Sequence, residues 1–217
     1  MNARKTALAV AASLAMLSGC GGEHSGEAVH LDAGQAEAVL PDVASLPGWE
    51  TSAEPAAYSL KKAKAMGIGR CYEGTRQDSC TQVRFFGSSA FHQQGKPEIS
   101  FIVQTYRDEA SARAAYGTVW QAWKQRVPAA KAVSTGEIGD QRDGVIGLDT
   151  SMIEGSKGLL VQVRVDSVIM LSMATAGPQV DMADSFLNQF ADVFAKRAGQ
   201  AQAGKKPSQA STSEGEV

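Results

Sequence analysis

The chain has 217 residues, 43% of them hydrophobic, with 21 Lys and Arg against 23 Asp and Glu and a formal charge of −2. That length supplies one domain with a real core. Apart from Lys61, Lys62 and Lys64 no basic cluster breaks the mildly acidic balance, which excludes the footprint by which proteins displace counterions from nucleic acid.

The chain begins with Arg4 and Lys5, continues through an apolar run at 6–17, and reaches Ser18-Gly19-Cys20. A basic start, an apolar stretch of roughly 7–15 residues and small residues at the cut make a signal peptide. The stretch is too short to remain as a bilayer span, which takes about 20 residues. Leu17-Ser18-Gly19-Cys20 resembles the lipobox of bacterial lipoproteins, which implies removal of residues 1–19 and a lipid, diacylglycerol with palmitate, on Cys20. Two or more acyl chains anchor stably where one holds only marginally. Losing Arg4 and Lys5 takes the charge from −2 to −4. The processed protein is expected on the extracytoplasmic face of the cell membrane, held there by Cys20.

Residues 20–30 are Gly, Glu, His and Ser with almost no large apolar side chain, the composition of a flexible spacer. Asp32 with Gln35 predicts an N-cap, Ala36, Val39 and Leu40 a short helix, and Pro41 its end. Leu46-Pro47-Gly48-Trp49 reads as a turn into an extended segment, with Trp49 as a core anchor. Residues 59–66 predict one or two helical turns closed by Gly67, the lysines forming a solvated face.

Cys71 and Cys80 are the two cysteines left once Cys20 is lipidated. An even pair in an exported chain predicts a disulfide, worth roughly 2–3 kcal/mol for a loop of this size. The spacing is not that of a Cys-x-x-Cys redox motif, and no histidine cluster completes a zinc site.

Residues 81–86 alternate as a half-buried strand, 87–97 read as a turn region containing His92, and 98–106 form a stronger strand with Ile99, Phe101 and Val103 on one face. Asp108 predicts the cap of a long helix whose stripe is Ala112, Tyr116, Val119, Trp120, Trp123 and Val127, ended by Pro128. The two tryptophans are expected to pack this helix on a sheet rather than to form a ligand platform. Residues 134–144 lack the ligand order of a calcium loop and predict turns, followed by a strand at 145–153. Residues 159–165 and 168–174 predict a hairpin turning at Asp166-Ser167. The second strand is apolar on both faces, which indicates a covered position. A last helix is expected to start near Asp181 and end at Gly199, leaving 199–217 as a disordered tail.

Short turns demand antiparallel pairing, and two amphipathic helices each need a sheet face. The fold expected is α/β (α+β): a two-layer sandwich in which a twisted antiparallel sheet carries two long helices, within one domain at 31–198. The order of lipobox, spacer, short helix with its Leu-Pro-Gly-Trp turn, Tyr106-Arg107-Asp108-Glu109-Ala110 opening a helix, Gly136-Glu137-Ile138-Gly139-Asp140, and the segment 161–169 resembles actinobacterial cell-envelope lipoproteins with a sensor-type domain. In layout it is similar to the extracellular domain of PknH-type receptor kinases and to PsbP-like lipoproteins. The resemblance implies a non-enzymatic envelope role and transfers no binding residues.

Three function classes follow. The first is a membrane-anchored binding or sensor module that holds a small molecule, lipid, glycan or envelope protein in a groove between helix and sheet. The second is a structural or accessory subunit of an envelope complex. The third is an enzyme, for which the chain offers little: His92 is the single histidine past the spacer, and no Gly-x-Ser-x-Gly, His-Glu-x-x-His or phosphate-cradling loop is present. Paired carboxylates drawn from Asp140, Asp143 and Asp149 would be the remaining catalytic option. The expectation is therefore no enzyme, no cofactor, no metal and no nucleic acid.

Overall fold

The computed structural model describes residues 30–66, 82–151 and 153–207. The signal peptide, Cys20, the spacer up to residue 29, the Cys71–Cys80 pair and residues 208–217 lie outside the described residues.

Helix α1, Ala33–Val39, starts as expected: Asp32 Oδ1 accepts from Gln35 N at 2.8 Å and Asp32 N donates to Gln35 Oε1 at 2.9 Å. A helix this short is marginal by itself. Its last carbonyls are met from across the molecule by Arg197, which donates to Ala38 O, Val39 O and Leu40 O. A single 3-10 turn, Val43–Ser45, leads through Gly48 to buried Trp49 and strand β1, Glu50–Ser59. Helix α2, Leu60–Ala65, follows, capped by Ser59.

Among the described residues, seven strands make one sheet. After β1 come β2 (Val83–His92), β3 (Glu98–Tyr106), β4 (Lys131–Ala132), β5 (Gln141–Leu148), β6 (Lys157–Val165) and β7 (Val168–Ala176), in spatial order β1-β2-β3-β7-β6-β5-β4. Every neighbouring pair is antiparallel. Helix α3, Glu109–Lys124, joins β3 to β4, and helix α4, Asn188–Gln202, follows β7.

Strand alternation assigns the two helices to opposite faces. Phe101, Val103, Leu159, Val161 and Met170 share a cluster with α1 and α4, through Val39, Phe190 and Phe194. Ile102, Leu160, Ile169 and Leu171 share the other with α3, through Tyr116, Trp120 and Trp123. The mixed class, the antiparallel sheet and two long helices packed on it are as the sequence predicts. The central strands β7, β3 and β6 are covered on both sides, which accounts for apolar residues at odd and even positions alike.

Four boundaries differ from the sequence reading. Residues 87–92, expected as a turn, continue β2. The Gly-Ser run there reflects crowding, because a Cβ on Gly87 would stand 2.8 Å from Ala56 O where β1 is bulged. The turn itself is confined to 93–97. The strand expected at 145–153 runs from Gln141 to Leu148. The last helix starts at Asn188, not Asp181, because 184–187 make turns, with Phe186 N bonded to Ala183 O and Asn188 N to Ser185 O.

The helix does not end at Gly199. It continues to Gln202, so the expected tail at 199–217 begins with ordered helix. Gln202 Oε1 accepts from both Ser167 N and Ser167 Oγ at 3.0 Å, and its Nε2 donates to Val165 O at 2.9 Å. The stop is Gly204, at φ 69.

Candidate functional site

Helix α3 is about 24 Å long at 1.5 Å per residue, whereas a nine-residue strand such as β3 or β7 is about 30 Å. The helix therefore leaves one end of the sheet uncovered on its own face. There Ser100 and Ile102 of β3 and Met173 and Thr175 of β7 form a floor beside Trp123 and Val127. The result is a cleft of about 300 Å³ between the end of α3 and the sheet. A second hollow of about 530 Å³ adjoins it, sharing Asp149 and Thr150 and lined otherwise by Pro128, Leu148, Ile153, Glu154 and Gly155.

The walls are fixed by local chemistry. Pro128 O accepts from Leu148 N at 2.8 Å, so the segment after α3 lies on the end of β5. Only a glycine at 147 permits this approach: a Cβ there would fall 2.4 Å from Pro128 O. Ala129, beside it, takes the left-handed region at φ 54, a strain of roughly 1–2 kcal/mol for a residue with a Cβ. The opposite wall is the loop between β5 and β6, in which Asp149 Oδ2 accepts from Ser151 N at 3.0 Å and Ser156 N donates to Ile153 O at 3.1 Å.

The two lobes differ in character. In the inner lobe, Arg126 and Asp149 stand with Ser100, Thr150 and Thr175, and the Arg126 guanidinium lies 5.7 Å from the Trp123 ring centroid, a cation–π contact. The outer lobe is largely apolar, and its Leu148 and Ile153 are 52% and 60% exposed. Side chains of this size and exposure placed together mark a contact surface more often than scattered ones do.

Of the acids weighed for catalysis, Asp140 and Asp143 stand at the start of β5 and Asp149 past its end, and the first two have structural partners. Asp140 belongs to a half-exposed group of acids around buried Arg164 at the far end of the sheet: it pairs with Arg164 at 3.2 Å and accepts from Asp166 N at 2.7 Å. Arg164, 3% exposed, also meets Glu109 Oε1 and Asp166 O. Asp143 acts on Tyr116, whose phenol is pushed up by burial and then by that carboxylate. The same Tyr116 and Gln162 lock α3 to β6 reciprocally, through Tyr116 Oη to Gln162 O and Gln162 Nε2 to Tyr116 O. Asp149 sits past the opposite end of β5, about 20 Å along the strand from Asp143, so neither acid pairs with it at the 5–9.5 Å that glycoside hydrolysis requires.

His92 has company that its sequence neighbourhood did not reveal. Strand pairing of Glu50 with His92 brings Ser52 Oγ to 3.0 Å from Nδ1 and Glu50 Oε2 to 3.3 Å from Nε2. This Ser/His/acid grouping lies on an open sheet edge, the His and Glu side chains 51% and 80% exposed. A hydrolytic site works in a water-excluded pocket, and side chains this exposed stand in solvent instead. Nor do the described residues contain a group of three or more His, Cys, Asp or Glu placed to hold a metal.

No protein-family model and no curated protein sequence matches the chain. Among solved structures, the extracellular domain of PknH from Mycobacterium tuberculosis is similar at a TM-score of 0.44 and 14% identity, over 81% of this chain and 95% of that one.

Proposed function

We propose that this protein is a lipid-anchored, extracytoplasmic binding or sensor module without catalytic activity, and that its ligand occupies the cleft between the end of α3 and the sheet. The observation that carries the reading is the cleft itself. Its inner and outer lobes have the size of small-molecule sites, which run from about 300 to 1,000 Å³ and combine apolar walls with a few polar groups. The lipobox-like Leu17–Cys20 stretch supports the anchor, and no helix among the described residues is long and apolar enough to cross a membrane.

The test is native mass spectrometry of the processed chain purified gently from its own envelope. An added mass of several hundred daltons that is lost on denaturation, and is absent from a Thr175→Trp variant that fills the inner lobe, is expected. A bare mass in repeated preparations refutes the ligand reading. For the anchor, Cys20→Ala is expected to leave the protein out of the lipidated membrane fraction, read by metabolic labelling with a palmitate analogue.

A second reading, an accessory subunit of an envelope complex, draws on Leu148 and Ile153, which a protein partner would cover equally well. In-cell cross-linking from position 153 would return one reproducible partner on that reading.

A further inference from the structure

We infer that the corner of the sheet where β1 ends and β2 begins is a docking surface for an anionic lipid bilayer, and that it stands the domain on the membrane with its cleft turned away from the lipid. The inference rests on the lipid-anchor reading and adds an orientation to it.

Strand pairing builds the corner. Ser59 pairs with Phe85, so α2, which starts at the next residue, and Arg84 emerge side by side at one end of the sheet. Lys61 and Lys62 are exposed on α2, Arg84 is exposed beside them, and neither α2 nor residues 83–90 contain an acid. Lys62 Nζ lies 4.4 Å from the Tyr58 ring centroid and the Arg84 guanidinium 5.7 Å from that of Phe85. A ring holds a cation without neutralising it, so both charges persist at the surface. Met66, which closes α2, is 49% exposed. Cations that meet phosphates, half-exposed aromatic rings and an apolar side chain at headgroup depth are the parts of an interfacial contact.

Charge decides the partner. Without Lys61, Lys62 and Arg84 the processed chain's −4 becomes −7. The opposite end of the sheet carries exposed Glu50, Glu98 and Glu154 against Lys157. An anionic bilayer therefore repels that end and attracts this corner. Residues 20–30 can span at most about 35 Å, longer than the strands, so the length of the tether does not choose which end meets lipid and the cations do. Ser100 and Thr175, on the cleft floor, lie about 20 Å along β3 and β7 from the row that continues Phe85 through Thr105 to Val168. With α2 on the bilayer, the cleft opens at the end of the sheet away from it.

The experiment uses the processed chain, residues 20–217, with Cys20→Ser so that no acyl chain contributes, and reads its partitioning by vesicle flotation. Binding to phosphatidylcholine vesicles with one third phosphatidylglycerol is expected to be at least tenfold stronger than to phosphatidylcholine alone, and to fall back in high salt as screening requires. Each cation near an anionic surface is worth about fivefold, so Lys61→Ala with Lys62→Ala is expected to weaken binding at least tenfold. Lys131→Ala with Lys157→Ala, which removes the same charge from exposed positions elsewhere, is expected to change it less than twofold. In the lipidated protein, a photoreactive phosphatidylglycerol headgroup is expected to label residues 60–66 and to spare 153–156.

Equal binding to the two vesicle types overturns the inference, as does an equal loss from both lysine pairs, or labelling of 153–156 as strong as that of 60–66. If any of these is found while Cys20 still takes the palmitate label, the docking surface fails and the anchor stands. If the vesicle results hold while Cys20 takes no label, the anchor reading fails by itself.

Discussion

Replacing Arg197 with methionine keeps the aliphatic stem of a side chain that is 4% exposed and removes its guanidinium. Val39 O and Leu40 O, at 3.2 and 2.9 Å, then lose a buried donor, Ala38 O loses a partly buried one at 2.8 Å, and the 3.5 Å pairing with Asp42 is broken. Leaving a buried carbonyl without its donor costs about 1–3 kcal/mol. Removing a charge whose burial already holds the guanidinium below its ordinary value returns part of that cost. The net expected loss is about 3 kcal/mol. With a urea slope of about 2 kcal/mol/M, the unfolding midpoint falls by about 1.5 M. Amide exchange should show α1 as the first element to open, since a seven-residue helix has little cooperativity of its own. Arg197→Lys should recover part of the loss, a point charge replacing a planar fork. A loss under about 1 kcal/mol, or α1 amides protected as in the parent, would refute the view that this one side chain closes the helix from across the core.

Three further outcomes are expected. Gly147→Ala places its Cβ against Pro128 O and Val127, costing about 1–3 kcal/mol as overpacking does, and it should also reduce adduct retention; thermal unfolding and native mass spectrometry read the two effects. Asp166 has its carboxyl pushed up by burial and by Glu109 and Asp140, so its ionised form opposes folding. Asp166→Asn, which still accepts φ 49, should raise the melting temperature at pH 7 and lose that advantage as pH falls through the carboxylate range. Asp108 behaves in the opposite sense: bonds from the Ser111 side chain and backbone hold it near pKa 2 against an ordinary 3.8. Its contribution is complete above about pH 4 and vanishes as pH drops through 2, so Asp108→Asn should flatten the acid limb of a stability–pH curve.

Elements with strong local signals were readable from the chain alone. The capping box at Asp32 and Gln35, strand 98–106 and the Asp166–Ser167 hairpin stand where their patterns put them, because local chemistry and burial agree at each. The sequence fails where glycine or serine answers a tertiary demand. Gly87 looks like punctuation but lies mid-strand because β1 crowds it, and Gly199 looks like a helix stop although α4 continues through it to the Gln202 contacts. The cleft was foreseen only as a groove between helix and sheet. Its place depends on α3 ending before the strands do and on Gly147 admitting Pro128, comparisons of length and distance that no single segment carries. The Ser52–His92–Glu50 grouping was likewise hidden, since 40 residues separate Ser52 from His92.

An open antiparallel sheet has two rims of unused backbone donors and acceptors, and each invites another chain to extend it. At one rim β1 carries two register shifts and Pro55, which has no N–H to offer. At the other, β4 is two residues long and begins with a lysine. Neither rim presents the straight, evenly spaced ladder on which copies stack into fibres. Two copies meeting rim to rim would find few aligned donors and acceptors to share, so the described sheet is closed to extension at both borders.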